Sequence, residues 1–260
     1  MARWSGCCAL LPTSNGRRCI VRAVHAERRE SPRSNEEDAP MSSMEDVWAY
    51  REETLYPRLF GPERTGIYVL DFDEFKALGA EDVDPCWLHL GVFEFAPTPV
   101  RNTWLYVTSG ASTPWETEPA DYDPDGYSWI GSELVIEVPS QPQDQWAIKL
   151  LRRLLAYNVL LAHSHFGEDK QPFDYGDRIP VGEAIREKGT VALRHVVLME
   201  PKHYPAMAQL DSGRFDFLHL VGIGDSERDW AKAHSSEALL RLLEVHGGAP
   251  VTDARRKAVA

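Results

Sequence analysis

The amino-acid sequence predicts an α+β fold with one mainly antiparallel mixed sheet that is covered by helices. Short segments rich in β-branched and aromatic residues are separated by turn-forming residues, which is the pattern of strands. Helical segments stand between some of these strands, but the order lacks the strict βαβ alternation of a parallel sheet. The 260 residues are 43% hydrophobic and 10% aromatic, so the chain has enough apolar surface to bury a core without disulfides.

The first helix is predicted over residues 44–59, because the apolar residues of this segment lie on one side. Pro57 is expected to disturb its last turn, and Gly61 with Pro62 to end it. A short strand is expected at 66–70. The segments 88–95 and 102–108 are then predicted to pair as an antiparallel hairpin.

The middle of the chain combines a strand with the strongest helix signal. The strand is predicted at 133–138, where polar and apolar residues alternate. Leu134, Ile136 and Val138 should face one way, and Glu133, Val135 and Glu137 the other. The helix is predicted over 143–162, where apolar residues recur at intervals of three and four, so that most of it packs against the sheet.

Two strands and two helices are predicted in the C-terminal part. The strands are expected at 190–199 and 215–223. Ser226 followed by Asp229 matches the pattern of a helix start, and a last helix is predicted over 236–245.

The first forty residues differ in composition from the rest. Residues 1–33 contain seven arginines and two acidic residues, whereas residues 41–260 contain 21 basic and 35 acidic residues. We predict that residues 1–40 are a disordered or over-annotated N-terminal extension, with an organelle-targeting segment as the alternative. The domain itself is predicted to span residues 44–257.

The charge balance excludes some classes of partner. The formal net charge is −12, and nucleic acid binding needs clustered lysine and arginine, so nucleic acid is not an expected partner. No apolar run approaches the roughly 20 residues that cross a bilayer, so no membrane association is expected. Three of the four cysteines lie in the first 20 residues, which predicts a reducing, cytoplasmic location.

One long loop is a candidate binding element. Residues 109–128 contain three prolines, five acidic residues and the aromatic residues Trp115, Tyr122 and Tyr127. A connection of this length is either a functional loop or a solvated insertion. We take Trp115, Tyr122 and Tyr127 as the candidate partner-binding residues.

The sequence shows no recognisable catalytic constellation. Ser109 lies in Val-Thr-Ser-Gly-Ala-Ser, which matches no nucleophilic serine motif, and no phosphate-binding glycine loop is present. Cys86 has no neighbour in sequence that would lower its pKa. We therefore expect no catalytic residues and no cofactor.

Histidines and glutamates leave one alternative open. His163 and His165 stand at a helix end, but their spacing of two residues puts them on different sides of a helix, and no metal-binding motif surrounds them. We expect surface or helix-end histidines without a metal. Glu133 and Glu137 share a strand face as paired acid and base groups would, although a salt-bridged or partly exposed face is the plainer interpretation. A metal-dependent hydrolase built on these residues is the alternative function, and a structural or regulatory subunit is a further one.

Several segments together resemble the Suppressor of fused domain family. They are Trp-Leu-Tyr-Val-Thr-Ser-Gly-Ala-Ser at 104–112, Glu-Leu-Val-Ile-Glu-Val-Pro at 133–139, Trp146 with 150–157, 217–223 followed by Ser226, Glu227 and Trp230, and the tail Val251, Thr252, Asp253 and Arg256. The resemblance covers about 47–256. Ala111 replaces a methionine of the family pattern and Gly224 a threonine, which concerns local loop geometry.

This resemblance implies an α+β domain that acts by binding another protein and has no catalytic residues. The animal family member restrains transcription factors, and single-domain bacterial members resemble immunity proteins that neutralise toxins. The expected function is therefore a non-catalytic protein-interaction domain, whose partner is a toxin or a regulatory factor.

Overall fold

A computed structural model of the protein describes residues 42–62, 66–142, 145–185 and 193–260. Its centre is an eight-stranded sheet with the order β1-β2-β3-β4-β8-β6-β5, and β7 pairs separately with β8. The strands are β1 (Tyr68–Val69), β2 (Gly91–Phe95), β3 (Trp104–Ser109), β4 (Tyr127–Val138), β5 (Arg178–Ile185), β6 (Leu193–Met199), β7 (Met207–Leu210) and β8 (Gly213–Ile223). Only β4 and β8 pair in parallel among these strands.

The helices cover both faces of this sheet. They are α1 (Met44–Ala49), a π-helical segment (Tyr50–Leu55), α2 (Tyr56–Phe60), α3 (Phe72–Lys76), α4 (Trp146–Ala162), α5 (Asp225–Ala233) and α6 (Ser236–Val245), with 3-10 turns at Pro85–His89 and Pro119–Asp121. The predicted α+β fold with a mainly antiparallel mixed sheet is confirmed. The prediction for residues 1–40 concerns a segment outside the described residues and stays a prediction.

Strand β4 divides the core into two sides, as its alternation predicts. Leu134, Ile136 and Val138 pack in the cluster that contains the buried side of α4. Val135 points the other way and packs with the helices near the N-terminus. Both faces of β4 are buried, which is typical of a strand in parallel pairing.

The first helix runs from Met44 to Phe60 with a wider turn in its middle. Pro57 has no N–H, and its ring would collide with the carbonyl of Glu53 in a regular α-helix. The helix widens in the preceding turn, where the Tyr56 N–H donates to Arg51 O across five residues. The predicted disturbance therefore lies before Pro57, and the helix continues until Gly61.

The structure corrects several details of the predicted elements. Residues 85–89 form a 3-10 turn, so the first hairpin strand begins at Gly91. The hairpin is extended on both sides, since β1 pairs with Gly91 and Val92 of β2 and β4 pairs with β3. Helix α5 begins at Asp225 and not at Ser226, and the Gly224 N–H donates to the Glu227 carboxylate. Strands β5 and β7 and helix α3 were not predicted.

A fully buried arginine joins the first helix to the sheet. Arg51 has no exposed surface, and its guanidinium donates to the hydroxyls of Ser109, Ser112 and Thr113 at 2.7–3.1 Å. Its Nη1 lies 4.0 Å from the equally buried carboxylate of Glu133. The positive charge is therefore compensated inside the core, which is the condition for burying it.

The carboxylate of Glu133 holds the turn that follows β3. Its Oε1 accepts hydrogen bonds from the Gly110 and Ser112 N–H groups, both at 3.0 Å, and from the Ser112 hydroxyl at 2.7 Å. Its Oε2 accepts one from the Thr108 hydroxyl at 2.6 Å. Glu133 and Glu137 are fully buried, and Glu133 lies 4.0 Å from Arg51. Of the expected salt-bridged or partly exposed strand face, Glu133 therefore adopts the salt-bridged form.

A second buried ion pair fastens the C-terminal tail. The Glu227 carboxylate accepts hydrogen bonds from Arg256 Nη1 at 2.6 Å and Nη2 at 2.8 Å, and one from the Val259 N–H at 2.9 Å. Upstream in the tail, the Thr252 N–H donates to the Glu137 backbone oxygen of β4 at 2.8 Å. The tail is therefore part of the folded domain.

Replacing Arg51 with methionine tests the first of these pairs. We expect Arg51→Met to lower the free energy of unfolding by about 3–5 kcal/mol, because it leaves the Glu133 charge buried without compensation. Arg58→Met changes an exposed arginine of the same helix and should cost less than about 0.5 kcal/mol. Urea unfolding measures both, and equal small losses would contradict a structural role for Arg51.

The tail pair predicts a pH dependence of stability. Burial pushes the pKa of Glu227 upwards, but hydrogen bonds from Arg256, Gly224 and Val259 outweigh it and hold the pKa below the usual 4.5. A carboxylate with a lowered folded-state pKa stabilises the protein above pH 4.5, and this contribution is lost as the pH falls through the folded-state value.

We therefore expect Glu227→Gln to be less stable than the native protein at pH 7, by about 2 kcal/mol, and this difference to shrink towards pH 3. Urea midpoints across this range measure it. Glu237→Gln, at an exposed position, is the matched control and should show no such trend. A difference that stays constant with pH would contradict the assigned role of the Glu227 charge.

Candidate protein-binding surface

The predicted binding loop packs along the first helix. It leaves β3 at the turn that Glu133 holds, where Ser112 and Thr113 are completely buried. Further along, Trp115 contacts Trp48 of α1, with ring centroids 5.9 Å apart. The loop is thus built into the domain at its start, and its aromatic side chains have defined positions.

Trp115 is half-buried and held on three sides. Its indole N–H donates to the Gly110 oxygen at 3.0 Å. Its ring lies edge-on to Trp48 and stacks at 6.0 Å against His89, with an interplanar angle of 28°. A rigid, partly exposed tryptophan of this kind is a frequent anchor in protein interfaces.

Trp115 belongs to a larger group that we call the tryptophan cluster. Its members are Trp48, Trp87, His89, Trp115, Trp129 and His163, of which His89 is exposed and the others are half-buried. The His163 ring lies 4.7 Å from Trp87 and 5.9 Å from Trp129, and its Nε2 lies 3.8 Å from Glu116 Oε1. Glu116 follows Trp115 in the chain, so it connects the two halves of the cluster.

His163 and His165 occupy different surroundings, as their spacing predicts. Burial lowers the pKa of His163, while the charges of Glu116 and Asp84 act in the opposite direction. The ring of His165 contacts Phe166. No set of three His, Cys, Asp or Glu side chains is placed to hold a metal ion in the part of the chain that the structure describes.

Tyr122 lies further along the same loop, beside the N-terminal turn of α1. Burial raises its pKa, and so do the nearby charges of Glu45, Glu118 and Asp46. Its ring also lines a cleft of about 480 Å³ together with Asp125 and Asp211. The surroundings of Tyr122 are therefore strongly acidic.

Tyr127 belongs to a different patch, at the start of β4. It is 53% exposed, its ring lies 4.6 Å from the Arg214 guanidinium, and its hydroxyl donates to Asp216 at 3.3 Å. Tyr175 and Met207, which are 36% and 46% exposed, lie around the same Asp216. Burial raises the pKa of Asp216 against the influence of its hydrogen bond to Tyr127.

The structure therefore separates the three candidate residues. Trp115 and Tyr122 lie along α1, whereas Tyr127 lies on the sheet with Tyr175 and Met207. No local pattern in the sequence marks these last two, nor Trp48, Trp87, His89 and Trp129 of the tryptophan cluster, as functional residues. Composition offered one signal, since four of the eight tryptophans of the chain come together here.

The other residues singled out in the sequence are structural. Ser109 accepts hydrogen bonds from Arg51, and Glu133 binds the following turn. Glu137 accepts a hydrogen bond from the Thr103 hydroxyl at 2.5 Å, inside the core. Cys86 lies in the 3-10 turn before β2. No helix within the described ranges is long and apolar enough to cross a membrane.

Solved structures share this fold. The crystal structure of the Sufu–Fu complex superimposes with a TM-score of 0.56 at 19% identity, covering 85% of this chain and 93% of that chain. A protein described as a SUFU homolog from Neisseria gonorrhoeae gives a TM-score of 0.54 at 18% identity, covering 82% and 97%. At these identities the likeness concerns the fold.

The sequence comparison identifies the family. No curated protein sequence matches the chain significantly. Residues 87–257, however, match the family described as Suppressor of fused protein (SUFU). This match covers more than half of the chain and includes the segments on which the resemblance was based. The protein therefore belongs to the Suppressor of fused family.

Proposed function

We propose that this domain works by binding another protein and carries out no catalysis. The observation that carries the proposal is the face formed by the 109–128 loop and α1, where Trp115 is held by three contacts and both Trp115 and Tyr122 are partly exposed beside acidic residues. Large aromatic side chains of this kind provide most of the binding energy in many interfaces. Membership of the family is consistent with an interaction role, and one structural neighbour is a complex with a second protein.

The charge of this face indicates the kind of partner. Glu45, Asp46 and Glu118 act on Tyr122, and Glu116 lies next to Trp115. A basic partner would be attracted by this field and would approach faster at low salt. Tyr127, in its own patch, is a second candidate contact, also beside a carboxylate.

In its finer form the proposal is that the partner is a toxin, which the domain neutralises in the cytoplasm. Support comes from the acidic binding face, which suits a basic toxin, and from the cysteine content, since residues 42–260 contain only Cys86. The hydrolase alternative receives no such support, because the His163 ring is packed between Trp87 and Trp129.

Replacing Trp115 and Tyr122 tests whether the partner binds to the proposed face. Affinity purification of tagged residues 41–260 from the native host should retain one basic protein at near-equal stoichiometry. Trp115→Ala combined with Tyr122→Ala should weaken this complex at least 30-fold, corresponding to about 2 kcal/mol lost at interface anchors. Calorimetric titration with the retained protein measures the loss.

Trp230→Ala is the matched control, since Trp230 is also half-buried but lies on α5, where it stacks on His234. It should leave the affinity unchanged. Thermal unfolding of each variant shows that the domain stays folded. Equal affinity of the native protein and the double variant would contradict the role of the loop in binding. A purification that retains no protein would contradict the binding function itself.

The toxin form of the proposal predicts a protective effect. Expression of the retained partner alone should stop growth of the host, and co-expression of the domain should restore it. The Trp115→Ala, Tyr122→Ala variant should fail to restore growth at equal expression levels. A partner that is harmless on its own would contradict the toxin form and leave a regulatory factor as the partner.

A further inference from the structure

We infer that the tryptophan cluster binds an arginine side chain of the partner. This inference rests on the proposed function and makes it specific, because it names the chemical group that the surface recognises. Three observations support it: the arrangement of the rings, the strained backbone of Trp129 and the acidic charges beside the rings.

The cluster is assembled from five separate parts of the chain. Trp48 comes from α1, Trp87 and His89 from the 3-10 turn, Trp115 from the loop, Trp129 from β4 and His163 from the end of α4. None of the six rings is fully buried, although burying a tryptophan is among the larger contributions to core stability. Partly exposed rings collected from so many elements present flat aromatic faces to an incoming group.

Trp129 is held in an unfavourable backbone conformation at this surface. Its φ is 53°, in the left-handed region that large side chains rarely adopt. It lies within the irregular stretch of β4 between Tyr127 and Ser132, where the register against β8 shifts. Such bulges redirect a side chain, and strain of this kind is often found at binding sites.

The charges beside the rings are acidic and lack a basic counterpart. Glu116 and Asp84 both act on His163. Glu116 pairs only with that histidine at 3.8 Å, and within 42–62, 66–142, 145–185 and 193–260 no lysine or arginine forms an ion pair with either carboxylate. Burial lowers the pKa of His163, so its ring is a weak counter-charge at neutral pH. The surface is therefore complementary to a cation.

The geometry favours arginine over lysine. A planar guanidinium stacks on an indole ring and can donate to a carboxylate at the same time, whereas an ammonium group is more strongly hydrated and does not stack. Glu52 shows a related arrangement inside the protein, because it accepts hydrogen bonds from the Trp48 indole and from Arg51. Trp115 is followed by the exposed carboxylate of Glu116, so an indole ring and a hydrogen-bond acceptor are both offered to an incoming guanidinium.

The test uses short capped peptides as probes and the full-length domain labelled with nitrogen-15. The probes are acetyl-Gly-Arg-Gly-amide and the same peptide with citrulline, which keeps the shape of arginine without its charge. We expect the arginine peptide to shift the indole N–H signals of Trp48 and Trp115 and to leave that of Trp230 in place. The citrulline peptide should cause no shift, and a lysine peptide should cause a smaller one.

A surface substitution provides the matched control. Glu116→Gln should weaken the response to the arginine peptide by about fivefold, as expected for one partly exposed charge contact. Glu237→Gln should have no effect. Equal shifts with citrulline or lysine, or shifts confined to Trp230, would overturn the inference. The proposed function fails separately, if no partner is retained or if Trp115→Ala with Tyr122→Ala leaves its affinity unchanged.

Discussion

The buried contact between Arg51 and Glu133 is the constraint on which the rest of this structure depends. Arg51 fastens the first helix to the hydroxyls of the turn after β3, and Glu133 fastens that turn to β4. The 109–128 loop begins at this turn, so the position of Trp115 relative to Trp48 follows from it. A polar centre inside the core thus determines the geometry of an aromatic surface outside it.

The elements of the fold were largely predictable because their hydrophobic periodicity is strong. Helix α4 and strand β4 show this periodicity over many residues, and so the observed element type and buried face of each agree with the prediction. Strand β7 has only four residues and no such signal. Arg51 also could not be recognised, because a charged residue in a surface helix normally faces water, and only long-range contacts show that this one does not.

The candidate site was predictable only in part, for a related reason. Trp115 and Tyr122 stood out because they lie in one acidic loop. Trp48 and Trp87 are distant from them in sequence, and Trp129 lies in the following strand, so each one alone would pass for a core residue. Glu133, Glu227 and Arg256 lie in the segments that resemble the family and form buried ion pairs, so these segments reflect the architecture. The surface on which we propose that a partner binds carries no such motif.

The parallel pairing of β4 with β8 has a consequence for how the chain is made. It joins Glu133 to Phe217, and the tail adds Thr252 to the end of the same strand. While the ribosome is still synthesising α4 and β5 to β7, the apolar strand β4 has no neighbouring strand on the side where β8 will pair. Contacts this distant in sequence form slowly, and unpaired apolar edges promote aggregation. The nascent chain is therefore most vulnerable before residue 213 has emerged, because residues 213–260, with β8 and the tail, complete the sheet.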